Sequence, residues 1–250
     1  MCSGVAENGK LLMANGRWLM VSARGRGRWR VSFFAWQKSW PPASPLRYTF
    51  HFLLFTLLLL TACASVQPVV KIGLVAPFEG AQRELGYDAI YAARLAVREI
   101  NQSGGVGGYR VALVALDDGG DERLAGETAV SLTIDPAVIA VIGHGLGETT
   151  AVAHPIYAAA NLPLLPLGNA PFTPQDPALL PAEFQTAYNN VTPFDETAGP
   201  FAAATYDAMQ LIFQAMAEAE LENGTISRDS VTNALTALQY EGLVGTVYQP

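Results

Sequence analysis

The sequence predicts an α/β fold, a doubly wound, mostly parallel sheet with helices on both faces. Two observations carry that expectation. Short apolar runs alternate with helical periodicities from Val69 to Leu165, and strands separated by helices in this way call for parallel pairing with right-handed crossovers. The run Val138–Ile142 is also almost wholly apolar, as a strand covered on both faces must be.

Taken in order, Val69–Val75 alternates as a strand and stops at Ala76-Pro77. Tyr87 to Asn101 reads as a helix, because Ile90, Ala93, Val97 and Ile100 recur every three or four residues. Ser103-Gly104-Gly105 ends it. Tyr109–Leu116 is the second strand, closed by Asp117-Asp118-Gly119-Gly120. Asp121 caps a helix with Leu124, Ala125, Thr128, Ala129 and Leu132 on one face. Val138–Ile142 is the third strand, Thr149–Ala160 the third helix and Leu162–Leu165 a short fourth strand. Such sheets bind ligands beyond the carboxyl ends of their strands. The candidate cleft therefore comprises Ala76–Gly86, Asp117–Asp121, Gly143–Glu148 and Pro166–Ala170. After Leu167 the rhythm changes. Pro171, Pro174, Pro177 and Pro181 mark an irregular connection. Helices follow at Phe201–Leu221 and Ser227–Leu238, the second with Ser227 as N-cap and Asp229 in its first turn. Gly242–Tyr248 reads as a last strand.

A length of 250 residues allows one or two domains. With 50% hydrophobic and 15% charged residues and a mean hydropathy of +0.22, the chain is neither a disordered polyelectrolyte nor a fibre. Its net charge of −7 averages two unlike segments. Residues 1–62 hold 8 of the 15 Lys and Arg and one acid, Glu7, a formal +7; residues 63–250 hold 7 bases and 21 acids, a formal −14. A body this acidic repels phosphate backbones, which argues against a nucleic-acid partner. The two cysteines, Cys2 and Cys63, leave the body without a disulfide framework or a cysteine zinc site.

The basic segment has the form of a leader. Phe52–Leu60 is an unbroken run save for Thr56, preceded by Arg47 and followed by Thr61-Ala62-Cys63. A bilayer span needs about 20 apolar residues, and this run is roughly half that, so it reads as a secretory signal. Arg24, Arg26, Arg28 and Arg30 alternate with Gly and Trp; a long signal n-region accounts for them better than a patch for nucleic acid or anionic lipid. Leu60-Thr61-Ala62-Cys63 resembles a bacterial lipobox, which implies lipidation of Cys63 as the first mature residue. The expected organisation is a basic leader plus signal peptide at 1–62, a tether at 63–68, and a body at 69–250. Within the body, 69–170 form the βα core, 171–182 the proline-rich connection and 183–250 the returning helices and tail.

Enzyme signatures are mostly missing: there is no Gly-x-Ser-x-Gly elbow, P-loop or His-Glu-x-x-His. Gly104–Gly108 follows a helix and precedes a strand, the reverse of a dinucleotide fingerprint, and reads as a turn. No cofactor is implied. Asp117 and Asp118, with His144 in Gly143-His144-Gly145-Leu146-Gly147, define the enzyme alternative, a metal-dependent one. His144 also lies near the presumed cleft as a candidate ligand contact, while His154 reads as a surface or packing residue. Gly147-Glu148-Thr149-Thr150 opens a helix whose N–H groups and positive dipole end suit a carboxylate. Thr149 and Thr150 add hydroxyls there, Thr149 with a second reading as the helix cap.

Four stretches in this order resemble the branched-chain amino-acid-binding proteins of ABC transporters: Lys71–Gly80, Ala96–Asp121, Ala140–Leu165 and Gly199–Met216. The resemblance covers roughly Val69 to Val247. It implies the type I periplasmic-binding fold, a two-lobed extracytoplasmic receptor that closes on a small amino-acid-like or amide solute and docks on an ABC permease. It also implies ligand contacts from Gly147, Glu148, Thr149 and Thr150, and from Gly168, Asn169 and Ala170, with Leu85 where the first loop often has an aromatic. This chain departs from the pattern in three places. Gly147 or Glu148 stands for a serine, Ala170 lacks a hydroxyl, and the second lobe is nearly absent, since Pro171–Pro181 leads directly into the returning segment Glu183–Met209. A lone lobe offers half a cleft, and the tail Gly242–Tyr248 would have no second-lobe sheet to join. The expectation is a lipid-anchored solute receptor at the outer face of a bacterial membrane. The runner-up is a single-lobe interaction module that pairs through this face, for instance as a homodimer.

Overall fold

The computed structural model describes residues 67–249 and two strands in the preceding segment. The chain divides into two compact units, Met1–Ser65 and Val66–Pro250. In the first, β1 (Gly9–Ala14) and β2 (Arg17–Ser22) pair as an antiparallel hairpin, with Gly9 opposite Ser22 and Ala14 opposite Arg17. The sequence reading did not anticipate it. The signal-like run Phe52–Leu60, the arginines from Arg24 to Arg30 and Cys63 lie outside the described residues. Among the described residues, no helix is long and apolar enough to cross a membrane.

In the second unit, β3 (Val69–Ala76), β4 (Arg110–Asp117), β5 (Val138–His144) and β6 (Leu164–Leu167) form a parallel sheet of order β4-β3-β5-β6. β3 pairs with β4 from Val69–Arg110 to Ala76–Asp117 and with β5 as far as Val75–Gly143. The chain steps from β3 to one side for β4, then back past β3 for β5. The connections that follow β3 and β5 therefore diverge, which makes their carboxyl ends the switch point where such sheets bind ligands.

Alternation along β3 sorts the core into two layers. Val70, Ile72, Leu74 and Ala76 pack under α1 (Arg83–Gln102) and α5 (Pro200–Asn223); Val75 of β3 and Val141 of β5 pack under α2 (Glu122–Ile134) and α3 (Gly147–Ala159). Asp121 caps α2 as expected, its Oδ1 accepting from the Leu124 N–H at 2.9 Å. α4 (Ala182–Asn189) lies in the returning segment and buries Phe184 and Tyr188. α6 (Arg228–Ala237) starts from the Ser227 cap. Its Arg228 guanidinium donates to the carbonyls of Leu132, Thr133 and Asp135 at the end of α2, and to those of Val138 and Ala160. A cation suits a helix carboxyl end, and this one ties α6 to the amino edge of the sheet.

Two boundaries differ from expectation for physical reasons. α1 begins at Arg83 rather than Tyr87, running through Gly86, where a Cβ would collide with the Pro77 carbonyl and the Phe78 ring. β6 begins at Leu164 rather than Leu162. Asn161 turns left-handed (φ +48°) and the Leu162 N–H returns to the Tyr157 carbonyl at 3.0 Å, so Leu162 closes α3 instead of opening a strand.

The tail is a hairpin, β7 (Tyr240–Glu241) with β8 (Val247–Tyr248), instead of a single strand. It docks on its own unit. Tyr248 is fully buried, stacks on Phe172 with centroids 4.8 Å apart and donates its hydroxyl to Asp207 Oδ2 at 3.0 Å. The Leu243 N–H donates to Asp207 Oδ1 at 3.0 Å.

Candidate functional site

The carboxyl edge of the sheet is built around a buried polar network. Asp118 follows β4, His144 ends β5 and Tyr157 lies on α3; all three are fully buried. His144 Nδ1 lies 2.8 Å from Asp118 Oδ2, and Nε2 lies 3.1 Å from the Tyr157 hydroxyl. One tautomer satisfies every group: Nδ1–H donates to the carboxylate and Nε2 accepts from the phenol. Burial, with Asp118 nearby, pushes the Tyr157 hydroxyl well up and keeps its proton in place. Asp118 Oδ1 also accepts from the Gly120 N–H at 3.0 Å. The network joins the ends of two strands to the helix that follows the second.

Above it, three loops meet. Gly168 takes φ +79°, and a Cβ there would collide with the Gly145 carbonyl, so the loops after β5 and β6 touch through backbone. Gly145 in turn rests on Leu85 of α1. No side chain caps α3, whose N-cap is Leu146, which leaves its first-turn N–H groups open. Thr150 Oγ1 accepts from the His144 N–H and from Asn169 Nδ2, each at 3.4 Å. Its own hydroxyl proton is left to donate. Asn169 Nδ2 also donates to the Leu167 carbonyl at 3.3 Å.

The structure brings all nine expected contact residues to this edge but divides them by depth. Gly147, Glu148 and Ala170 are exposed, and Thr150, Gly168 and Asn169 are half-buried. Leu85, His144 and Thr149 are buried. Leu85 supports Gly145, His144 is consumed by Asp118 and Tyr157, and the Thr149 hydroxyl donates to the Leu146 carbonyl at 3.1 Å. Thr149 is thus not the cap of α3. The same geometry parts the three residues of the metal-enzyme alternative. Asp118 and His144 face each other in the core, while Asp117 Oδ1 accepts from the N–H groups of Phe78 and Gly119, each at 2.8 Å. Among the described residues no three His, Cys, Asp or Glu side chains are grouped to hold a metal.

Residues 69–181, which span this sheet and its loops, match the family model described as periplasmic binding protein. The match extends over less than half of the chain and marks a similarity to that family. An amino acid binding protein of Pseudomonas aeruginosa is 32% identical over 93 residues, 37% of this chain and 25% of that protein. Leu/Ile/Val-binding protein homolog 7 of Brucella melitensis is 29% identical over 110 residues, 44% of this chain and 27% of that protein. The chain spans about a quarter of the length of these curated relatives. The branched-chain substrate binding protein LivJ of Streptococcus pneumoniae, solved with isoleucine, aligns with a TM-score of 0.58 at 15% identity. That alignment covers 71% of this chain and 91% of the LivJ chain, and the likeness is one of fold. The sequence resemblance to branched-chain amino-acid receptors and the type I fold are therefore both upheld.

The Asp118–His144–Tyr157 network was missed by sequence reasoning as a unit. Asp118 and His144 each stood out alone, but 26 residues separate them, and only the register of β4 and β5 against β3 brings them together.

Proposed function

We propose that this chain is an extracytoplasmic solute-binding lipoprotein of an ABC importer, and that one lobe carries its ligand contacts at the carboxyl edge of the sheet. The observation that carries this reading is the uncapped N-terminus of α3, set beside the Thr150 hydroxyl and Asn169 amide at the switch point between β3 and β5. Open N–H groups at a helix start bind carboxylate or carbonyl oxygen without any catalytic group. The names of the relatives, an amino acid binding protein and a Leu/Ile/Val-binding homolog, support a small amino-acid-like or amide solute. The proposed partners are that solute, a permease, and the membrane through a lipid on Cys63; no enzymatic step is assigned. The domain organisation follows the same reading: leader, tether, and one lobe with its returning helices.

Thermal melting of the full chain against a panel of amino acids and their amides tests the reading. A solute at about a hundred times its dissociation constant adds roughly 2.7 kcal/mol of stability. A shift confined to one solute class, abolished in Thr150→Ala, is expected. A cooperative melt that no panel member moves would overturn it.

A further inference from the structure

We propose that the cavity between the amino ends of α1 and α5 is a second site, one that takes a small organic ammonium ion. The cavity measures about 930 Å³ and is open to solvent along the loop that precedes α5. It adjoins the strand-end surface only through Leu85, and none of Gly147, Thr150 or Asn169 lines it.

Its walls combine aromatic faces with carboxylates. Tyr87 and Tyr91 stack on successive turns of α1 with centroids 6.2 Å apart, and Tyr188 of α4 meets Tyr91 edge-on. Phe194 stands at the rim with 82% of its surface exposed, and Tyr87 is 46% exposed. Both rings line the cavity while remaining exposed to solvent. The Arg94 guanidinium already lies 5.8 Å over the Tyr91 ring, which leaves Tyr87 and Phe194 as the faces open to a guest.

The charge around the cavity selects the sign of that guest. Glu84, Asp88, Asp195 and Glu196 line it against the single cation Arg83, a formal −3. Asp88 lies deepest among them. Its carboxyl is half-buried, accepts from the Phe201 N–H at 3.3 Å, and is approached so closely by Gly199 that a Cβ there would strike it. Burial pushes its pKa up to about 6, with Glu84 and Glu196 adding to the shift. A cation placed in the cavity offsets both the burial and the like-charge repulsion. An anion is opposed by every carboxylate, and a bare metal ion finds no grouped donors among the described residues. An alkylammonium satisfies the rings and the carboxylates together.

Isothermal titration of the full chain with choline and with 1,4-diaminobutane tests this, using 3,3-dimethyl-1-butanol as the neutral isostere of choline. At least one ammonium should bind, and the neutral alcohol at least about tenfold more weakly. Asp88→Asn and Tyr87→Ala, each confirmed folded by circular dichroism, should weaken the ammonium about tenfold or more. Thr150→Ala, aimed at the strand-end surface, should leave it unchanged, so this site and the proposed solute site fail or survive separately. The inference is overturned if neither ammonium binds at millimolar concentration, if the alcohol binds as well as choline, or if both variants bind like the parent.

Discussion

Asp207 offers a direct test of how the tail is held. It is fully buried within α5, and its two oxygens accept from the Leu243 N–H and the Tyr248 hydroxyl, each at 3.0 Å. Burial raises its pKa from 3.8 to about 6, against the lowering effect of those two donors. The difference between 3.8 and about 6 corresponds to roughly 3 kcal/mol at 1.36 kcal/mol for each tenfold step. A carboxyl whose folded pKa is raised favours the folded state fully below pH 3.8, and that contribution is lost as pH climbs through about 6. Asp207→Asn keeps an acceptor for Leu243 and offers its amide to the Tyr248 oxygen, but it cannot ionise. The variant should therefore exceed the parent in stability at pH 8 by up to about 3 kcal/mol, and the gap should close towards pH 4. Urea unfolding at pH 8, 6 and 4 measures this, since stability falls linearly with denaturant. A gap that stays constant across these pH values would refute the assignment of the shift to Asp207. A variant less stable than the parent at pH 8 would show that its hydrogen bonds outweigh the buried charge.

Three further outcomes follow from the site and the leader. Tyr157→Phe leaves His144 Nε2 without a donor in a dry interior and should cost about 1–3 kcal/mol, whereas His144→Ala strands the buried Asp118 carboxyl and should cost about 3–5 kcal/mol. Combining them should cost clearly less than the sum in urea unfolding, and strict additivity would deny the network. Glu148→Gln removes a negative charge from the first turn of α3. At about 5 Å in a solvent-rich setting that charge opposes a bound carboxylate by about 1 kcal/mol, so titration should show amino acids binding about fivefold tighter and amides little changed. Cys63→Ala should abolish incorporation of labelled palmitate in a bacterial host while Cys2→Ala leaves it intact, and labelling of the Cys63 variant would remove the anchor from the account.

Much of the fold was legible because its signals are local. Val138–Ile142 could only be a covered strand, and Asp121 and Ser227 occupy the caps their side chains favour. The site was legible in outline for the same reason, since strand ends follow from strand order. Depth was not. Whether His144 points towards the switch point or into the core depends on Asp118 and Tyr157, which reach it only through tertiary register. The tail was read as a strand because Gly242–Tyr248 has strand composition, yet a Gly242–Gly245 turn and the pull of Asp207 fold it back. Its anchor lies in the middle of a helix, where no periodicity marks a carboxylate as a docking point.

Under the proposed single-lobe reading, the division of the strand-end residues by depth bears on how a solute would be held. Two-lobed receptors gain affinity by closing and excluding water, a step absent from the proposed single-lobe reading. Whatever affinity one lobe has must come from groups already held in place, because ordering loops on binding costs about 0.5–1.5 kcal/mol per immobilised side chain. This chain holds them in place from beneath. The Asp118–His144–Tyr157 network ties the end of β5 to α3, and the Gly145–Gly168 backbone contact ties the β5 loop to the β6 loop. The N–H groups of α3 and the Thr150 hydroxyl are therefore set before any solute arrives. In the same turn Glu148 places a carboxylate where an anionic group would dock, which favours a neutral carbonyl over a carboxylate. On the proposed reading, an open, preformed and negatively flanked site would fit an amide better than a free amino acid.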